Sequence, residues 1–127
     1  SVVSDEIATP TYASHLARAV CELTEKALSG VFHIRGPNVL SYYEWACRFF
    51  DASGLPKERL TPVKASELAR DARRPQRAVL SMDSYFALGL SPLPTLDIAL
   101  LDYVWRMISS LSISRSLNIG SPVKVRT

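Results

Sequence analysis

Apolar residues recur at helical spacing over residues 13–28, where Ala13, Leu16, Ala17, Val20, Leu23 and Ala27 alternate with Ser14, Arg18, Glu22 and Glu25 on the opposite face. The pattern predicts an amphipathic helix that ends near Gly30. Ahead of it, Ser1-Val2-Val3-Ser4 reads as a strand. Behind it, Val31-Phe32-His33-Ile34 is too short for a helix and is bracketed by Gly30 and Gly36-Pro37, so it reads as a second strand. In that strand His33 is expected inside and hydrogen-bonded, whereas His15, in the first turn of the helix, is expected at the surface.

The next signal is a capping box. Ser41 and Glu44 have the spacing at which the hydroxyl accepts an amide of the first turn and the carboxylate reaches back to the cap amide. Leu40 and Trp45 hold the flanking staple positions. Tyr42, Trp45, Ala46 and Phe49 form the expected buried stripe, Glu44 and Arg48 an exposed i,i+4 pair, and Gly54 the stop, with Leu55 folding back.

Leu60-Thr61-Pro62-Val63 fits an edge strand, because proline cannot donate to a ladder. Ser66 is placed to cap a short helix that Pro75 ends, and residues 82–88 form another, closed by Gly89. Thr95 then caps a helix running to about Ile108. One face of it carries Leu96, Ala99, Leu100, Tyr103 and Met107, and another carries Leu101, Val104, Trp105 and Ile108, so it needs cover on two sides. Helices separated by a few short strands predict an α/β fold in which the strands are only a fragment of a sheet. The organisation read from this is a folded unit over residues 1–111, followed by a basic, Ser-containing and flexible tail over 112–127.

With 127 residues, 47% of them hydrophobic, the chain is one domain and too apolar for intrinsic disorder. It has no uninterrupted run of about 18 apolar residues, so no membrane span is expected. Two cysteines outside any Cys-x-x-Cys pair fit a reducing, cytoplasmic setting. The first methionine is Met82 and the chain opens directly on a strand, so it is expected to be the later part of a longer polypeptide.

Most reaction classes find no residues here. The sequence has no G-x-G-x-x-G, no P-loop and no G-x-S-x-G elbow, and none of its five tyrosines has a lysine four positions on. His15 and His33 are too far apart in sequence for a paired metal motif. Two features remain. Arg70, Arg73, Arg74 and Arg77 surround Asp71, and guanidinium groups bind phosphate in a planar, bidentate manner, which suits a diphosphate ligand; the alternative is a solvated helix end with an Arg-Asp pair. Thr9-Pro10-Thr11-Tyr12 places two hydroxyls and a phenol where a strand hands over to a helix, either to meet a ligand or merely to cap and pack. The net charge of +3 includes no basic face with interleaved aromatics, so nucleic acid is not an expected partner.

In succession, Thr9-Pro10-Thr11-Tyr12-Ala13 with Leu16-Ala17, Gly30-Val31-Phe32-His33-Ile34-Arg35-Gly36, Ser41-Tyr42-Tyr43-Glu44-Trp45-Ala46, and Ala72-Arg73-Arg74-Pro75 with Leu80 resemble the C-terminal part of the dTDP-4-dehydrorhamnose reductases. These are extended short-chain dehydrogenases/reductases. The resemblance covers about residues 1 to 111. It implies an NAD(P)H-holding Rossmann domain with a Tyr-x-x-x-Lys pair upstream, and a smaller part, matched here, that closes over a dTDP-sugar. The implied reaction is hydride transfer to the 4-keto group.

The resemblance further implies that Thr11 and Tyr12 line the sugar-nucleotide pocket and that Arg73 or Arg74 faces the diphosphate. No cofactor is expected in this chain, and NADPH is expected for the full-length parent. The implied partners are the dTDP-sugar, the missing Rossmann domain and, through the apolar surface left without it, a second copy. Two positions depart from the family pattern: His15 stands where an acidic residue is usual, and Ala8-Thr9 where the turn commonly contains glycine. The same pattern also occurs in the regulatory subunit of methionine adenosyltransferase, a binding partner and not a reductase.

Overall fold

The structure, a computed structural model, describes residues 1–26, 28–72 and 74–116, and the side chains of these as far as residue 110. Its strands are short and form two separate pairs. β1 (Val2–Val3) lies parallel to β4 (Pro62–Val63), with Val2 N–H donating to the Thr61 carbonyl at 2.8 Å and Ser4 N–H to that of Val63 at 3.0 Å. The ladder runs through residues 61 and 63, so the missing N–H of Pro62 faces away from it. β2 (Ile7–Ala8) pairs antiparallel with β3 (Leu40–Ser41), and its other edge exchanges backbone bonds with Gln76 and Ala78.

α1 (Ala13–Thr24) forms where the periodicity puts it, but it buries a different edge. His15, 7% exposed, and Ala19 face inward, while Ala13, Ala17 and Val20 are exposed; Ala27 lies outside the described residues. The neighbours explain the rotation. Ala19 packs with Met82, Tyr85 and Leu93, joined by Leu16, Ile34 and Leu90, and this cluster lies beside only one edge of the helix.

Two expectations fail next to it. Residues 31–34 are irregular, because no described strand lies alongside to take their backbone groups. Val31 is 79% exposed and His33 is exposed, so the interior histidine is His15 and the surface one His33. The segment is clasped instead by Arg35, whose Nε donates to the Leu80 carbonyl at 2.7 Å.

α2 (Tyr42–Ser53) carries the capping box: Glu44 N–H donates to Ser41 Oγ at 3.1 Å, and Ser41 N–H to Glu44 Oε2 at 2.7 Å. It ends at Gly54 (φ 66°), where Leu55 N–H reaches back to the Phe50 carbonyl and Gly54 N–H to that of Asp51, the Schellman arrangement. Of the expected buried stripe, Ala46 is buried, Phe49 is half-buried, and Tyr42 and Trp45 are more exposed. Arg48 does not pair with Glu44. It reaches Asp97 at 3.2 Å, since Glu44 is engaged at the cap.

Ser66 caps no helix. Residues Ala65–Glu67 make a single 3₁₀ turn, with Ala65 N–H held by Asp5 Oδ1 at 2.8 Å and Lys64 N–H by Glu67 Oε1 at 2.9 Å. α3 (Asp83–Phe86) is the short helix before Gly89, whose φ is 72°. Its Tyr85 is almost wholly buried and donates to the Ser91 carbonyl at 3.1 Å.

α4 (Leu96–Ser116) continues past Ile108 and past residue 111, and residues 117–127 lie outside the description. Asn38 Oδ1 accepts from its first amide, Leu96 N–H, at 2.7 Å. Leu96 and Leu100 join Leu40 in a second small core, flanked by Phe49 and Ala52 of α2. The opposite face of α4, read as needing cover, is exposed at Leu101 and Trp105.

Candidate functional site

Where the chain leaves β2 and enters α1, Pro10, Thr11 and Tyr12 form one wall of a cleft of about 510 Å³. The opposite wall comes from α2 and α4 and includes Trp45, Phe49, Leu100 and Tyr103. Trp45 and Phe49 stack with ring planes 16° apart and centroids at 5.7 Å. Tyr103 stands 6.1 Å from Phe49 and edge-on to Tyr12 at 6.3 Å. The site is therefore an aromatic-lined slot with a narrow polar margin, suited to a flat ring or the apolar face of a sugar.

The polar margin is held by a short network. Thr11 Oγ1 donates to the Thr9 carbonyl at 3.0 Å and accepts from Gly36 N–H at 2.9 Å, so its hydroxyl fixes the strand-to-helix turn while one lone pair remains. Gly36 is buried there, and a Cβ at this position would overlap the Pro10 carbonyl oxygen. Behind Tyr12, His15 packs edge-on at 4.9 Å, and its Nε2 lies 3.6 Å from Asp102 Oδ2. Asp102 also takes Arg106 Nε at 3.2 Å. This link ties α1 to the α4 wall of the cleft. Among the ionisable groups nearby, the Ser41 backbone N–H and then its hydroxyl hold the Glu44 carboxyl below its ordinary pKa.

The arginines are placed elsewhere. Arg70 Nη1 meets Glu6 Oε1 at 2.6 Å, with the Glu6 side chain 6% exposed; Asp71 is not its partner. Arg74 is exposed and lines two adjoining cavities, of about 490 and 360 Å³, together with Glu6 and Arg70. Arg73 lies outside the described residues. Thr11 and Tyr12 thus share one cleft that Arg74 does not line.

A further cavity lies between them. Tyr42 belongs both to it and to the smaller arginine cavity, while Pro10 and Trp45 belong both to it and to the aromatic cleft. Trp45, Phe49 and Tyr103 read in the sequence as core residues. The available signal was two aromatics four apart on one helix with too little small-residue packing around them.

This arrangement defines an α/β ligand-holding unit, and the chain belongs to the RmlD substrate binding domain family, whose model matches residues 1–109. Among its relatives are a dTDP-4-dehydrorhamnose reductase of Mycobacterium tuberculosis, 32% identical over 91% of this chain and 38% of that protein, and methionine adenosyltransferase 2 subunit beta of Danio rerio, 34% identical over 65% of this chain and 27% of that protein. The fold is shared with the crystal structure of dTDP-4-dehydrorhamnose reductase from Bacillus anthracis in complex with NADP, at 25% identity and a TM-score of 0.74 over 78% of this chain and 35% of that one. The chain thus spans roughly a quarter to two-fifths of the length of these proteins.

There is no glycine-rich turn feeding a helix and no Tyr-x-x-x-Lys pair in the sequence. Among the described residues no cluster of His, Cys, Asp or Glu is placed to hold a metal ion, and no helix is long and apolar enough to cross a membrane.

Proposed function

We propose that residues 1–111 are the sugar-nucleotide-binding unit of a cytoplasmic, NADPH-dependent reductase of the dTDP-4-dehydrorhamnose reductase type, and that cofactor and proton-relay residues belong to other parts of that protein. The observation that carries the reading is a row of neighbouring cavities that share lining residues, from the aromatic slot past Tyr42 to Arg74. An elongated ligand with a ring at one end and a diphosphate further along has the same order of chemistry. Tyr12 and the backbone fixed by Thr11 shape the ring end, and Arg74, with Arg73 beside it in sequence, faces the diphosphate. What this part supplies to the reaction is position: it holds the keto sugar in one orientation and keeps water from the reacting carbon.

Calorimetric titration of the 127-residue chain with dTDP tests this. Saturable binding is expected, weakened several-fold by Arg74→Ala and by Tyr12→Ala. Binding unchanged in Arg74→Ala would remove that arginine from the site, and no binding at about 1 mM dTDP would refute the reading. In the full-length protein Arg74→Ala is expected to raise KM for the keto sugar nucleotide. The similarity to the methionine adenosyltransferase subunit supports a second reading, protein binding without turnover. Co-purification with a partner enzyme together with no response to dTDP would favour it.

A further inference from the structure

His15 is a buried polar side chain that packing alone does not explain. Its Nε2 stands 3.6 Å from Asp102 Oδ2, longer than an ordinary hydrogen bond, and its Nδ1 is buried with no hydrogen-bond partner among the described residues. Leucine would fill similar space without leaving a ring nitrogen unsatisfied, so the histidine is kept at some expense in stability. Asp102 does not need it either. That carboxylate is part-exposed and already takes Arg106 Nε at 3.2 Å, so it would retain a partner without His15. A buried polar group held on such terms points to a role other than stability.

Its contacts lead to the aromatic cleft. Tyr12 stands three residues earlier, on the same side of the helix start, with its ring edge-on to the imidazole at 4.9 Å and 81°. Tyr12 occupies the N-cap position of α1, yet its side chain does no capping, so ring contacts set its direction. Its other ring neighbour is Tyr103, edge-on at 6.3 Å and 86°, and Tyr103 directly follows Asp102 in α4. The contacts close a circuit: Tyr12 to His15, His15 to Asp102, along the chain to Tyr103, and back to Tyr12. Both tyrosines line the cleft, whereas His15 lies behind its wall. A closed circuit fixes the spacing of two rings carried by different elements; an open one leaves Tyr12 free to exchange rotamers.

We propose that His15 is the positioning residue of the aromatic cleft: through Asp102 it holds Tyr12 edge-on to Tyr103 and, on the reading of that cleft as the ring end of a sugar-nucleotide site, sets the width of the slot that receives the ring. It acts through Tyr12 and touches no ligand itself. Every link of the circuit is made by this chain's own residues.

The test compares the 127-residue chain with His15→Leu and His15→Gln. Leucine removes the attraction to Asp102, whereas glutamine can place its amide nitrogen where Nε2 stands. His15→Leu is expected to melt at or above the temperature of the parent, because it strands no charge and removes an unsatisfied group. It should nevertheless lose the nuclear Overhauser contact between the Tyr12 and Tyr103 rings and bind dTDP about fivefold to tenfold more weakly in calorimetry, with His15→Gln recovering part of both. Asp102→Ala should reproduce the loss of the ring contact, and adding it to His15→Leu should change little further. Should His15→Leu fail to fold, Asp102→Ala, at a part-exposed position, carries the same two readouts. A ring contact that survives in these variants would overturn the proposal. So would a dTDP affinity that falls in Tyr12→Ala but is unchanged in His15→Leu. A parent that binds no dTDP would refute the reading of the cleft instead, and the ring contact would then decide by itself whether His15 positions Tyr12.

Discussion

Replacing Gly36 by alanine adds one methyl group at the tightest backbone approach of the candidate site. The new Cβ would sit inside the van der Waals shell of the Pro10 carbonyl oxygen and in ordinary contact with the Thr11 Cα at 3.7 Å. Both neighbours are backbone, so no side-chain rotation relieves the overlap. The Pro10–Thr11 turn has to move away, and that movement stretches the 2.9 Å bond from Gly36 N–H to Thr11 Oγ1. Overpacking of this kind costs about 1–3 kcal/mol and a lost part-buried hydrogen bond about 1 kcal/mol, giving roughly 2–4 kcal/mol. For a domain of this size that corresponds to a drop in Tm of about 8–15 °C, measured by circular dichroism, and a matching fall in the urea midpoint. Thr11→Val removes the same hydrogen bond, together with the one from Thr11 Oγ1 to the Thr9 carbonyl, without the clash and should cost about 1–2 kcal/mol. The double variant should cost less than the sum, because both changes act on one contact. A Gly36→Ala protein within about 0.5 kcal/mol of the parent would refute the close approach.

Further outcomes follow from other contacts. Arg70→Met should destabilise by about 2–4 kcal/mol in urea unfolding, because it strands the buried Glu6 carboxylate; Glu6→Gln in the same chain should restore much of the loss, and a neutral Arg70→Met would show the pair to be dispensable. The folded-state pKa of Glu44 lies below its ordinary 4.5, so its contribution is complete above about pH 4.5 and is lost as pH falls through the folded value. Thermal melts between about pH 5 and about pH 3 should therefore show a steeper loss for the parent than for Glu44→Gln, and parallel curves would remove the cap from the account. The Tyr85 phenol is raised by burial, with Glu22 adding to the shift, so its contribution is complete below about pH 10 and is lost above. Tyr85→Phe should flatten that alkaline loss in melts above about pH 10 if the burial is as described.

Local chemistry was legible in the amino-acid order. The box of Ser41 and Glu44, the stop at Gly54 and the turn at Gly89 all depend on groups within a few residues of one another, and all form as read. The family resemblance was legible too, because it rests on the succession of such short motifs. What could not be read was which face of each element meets another. His15 and His33 exchanged the interior and surface roles expected of them, since burial depends on Asp102 and Tyr12 in one case, while in the other no strand lies alongside among the described residues. Arg48 and Arg70 found acids 49 and 64 residues away in place of near neighbours. Thr11 and Tyr12 were singled out from their position ahead of a helix, but the aromatic wall opposite them comes from two helices that only packing brings together. Short-range hydrogen bonds and steric limits are written into adjacent residues, whereas burial and ion pairing between distant segments are set by how those segments come to lie against one another.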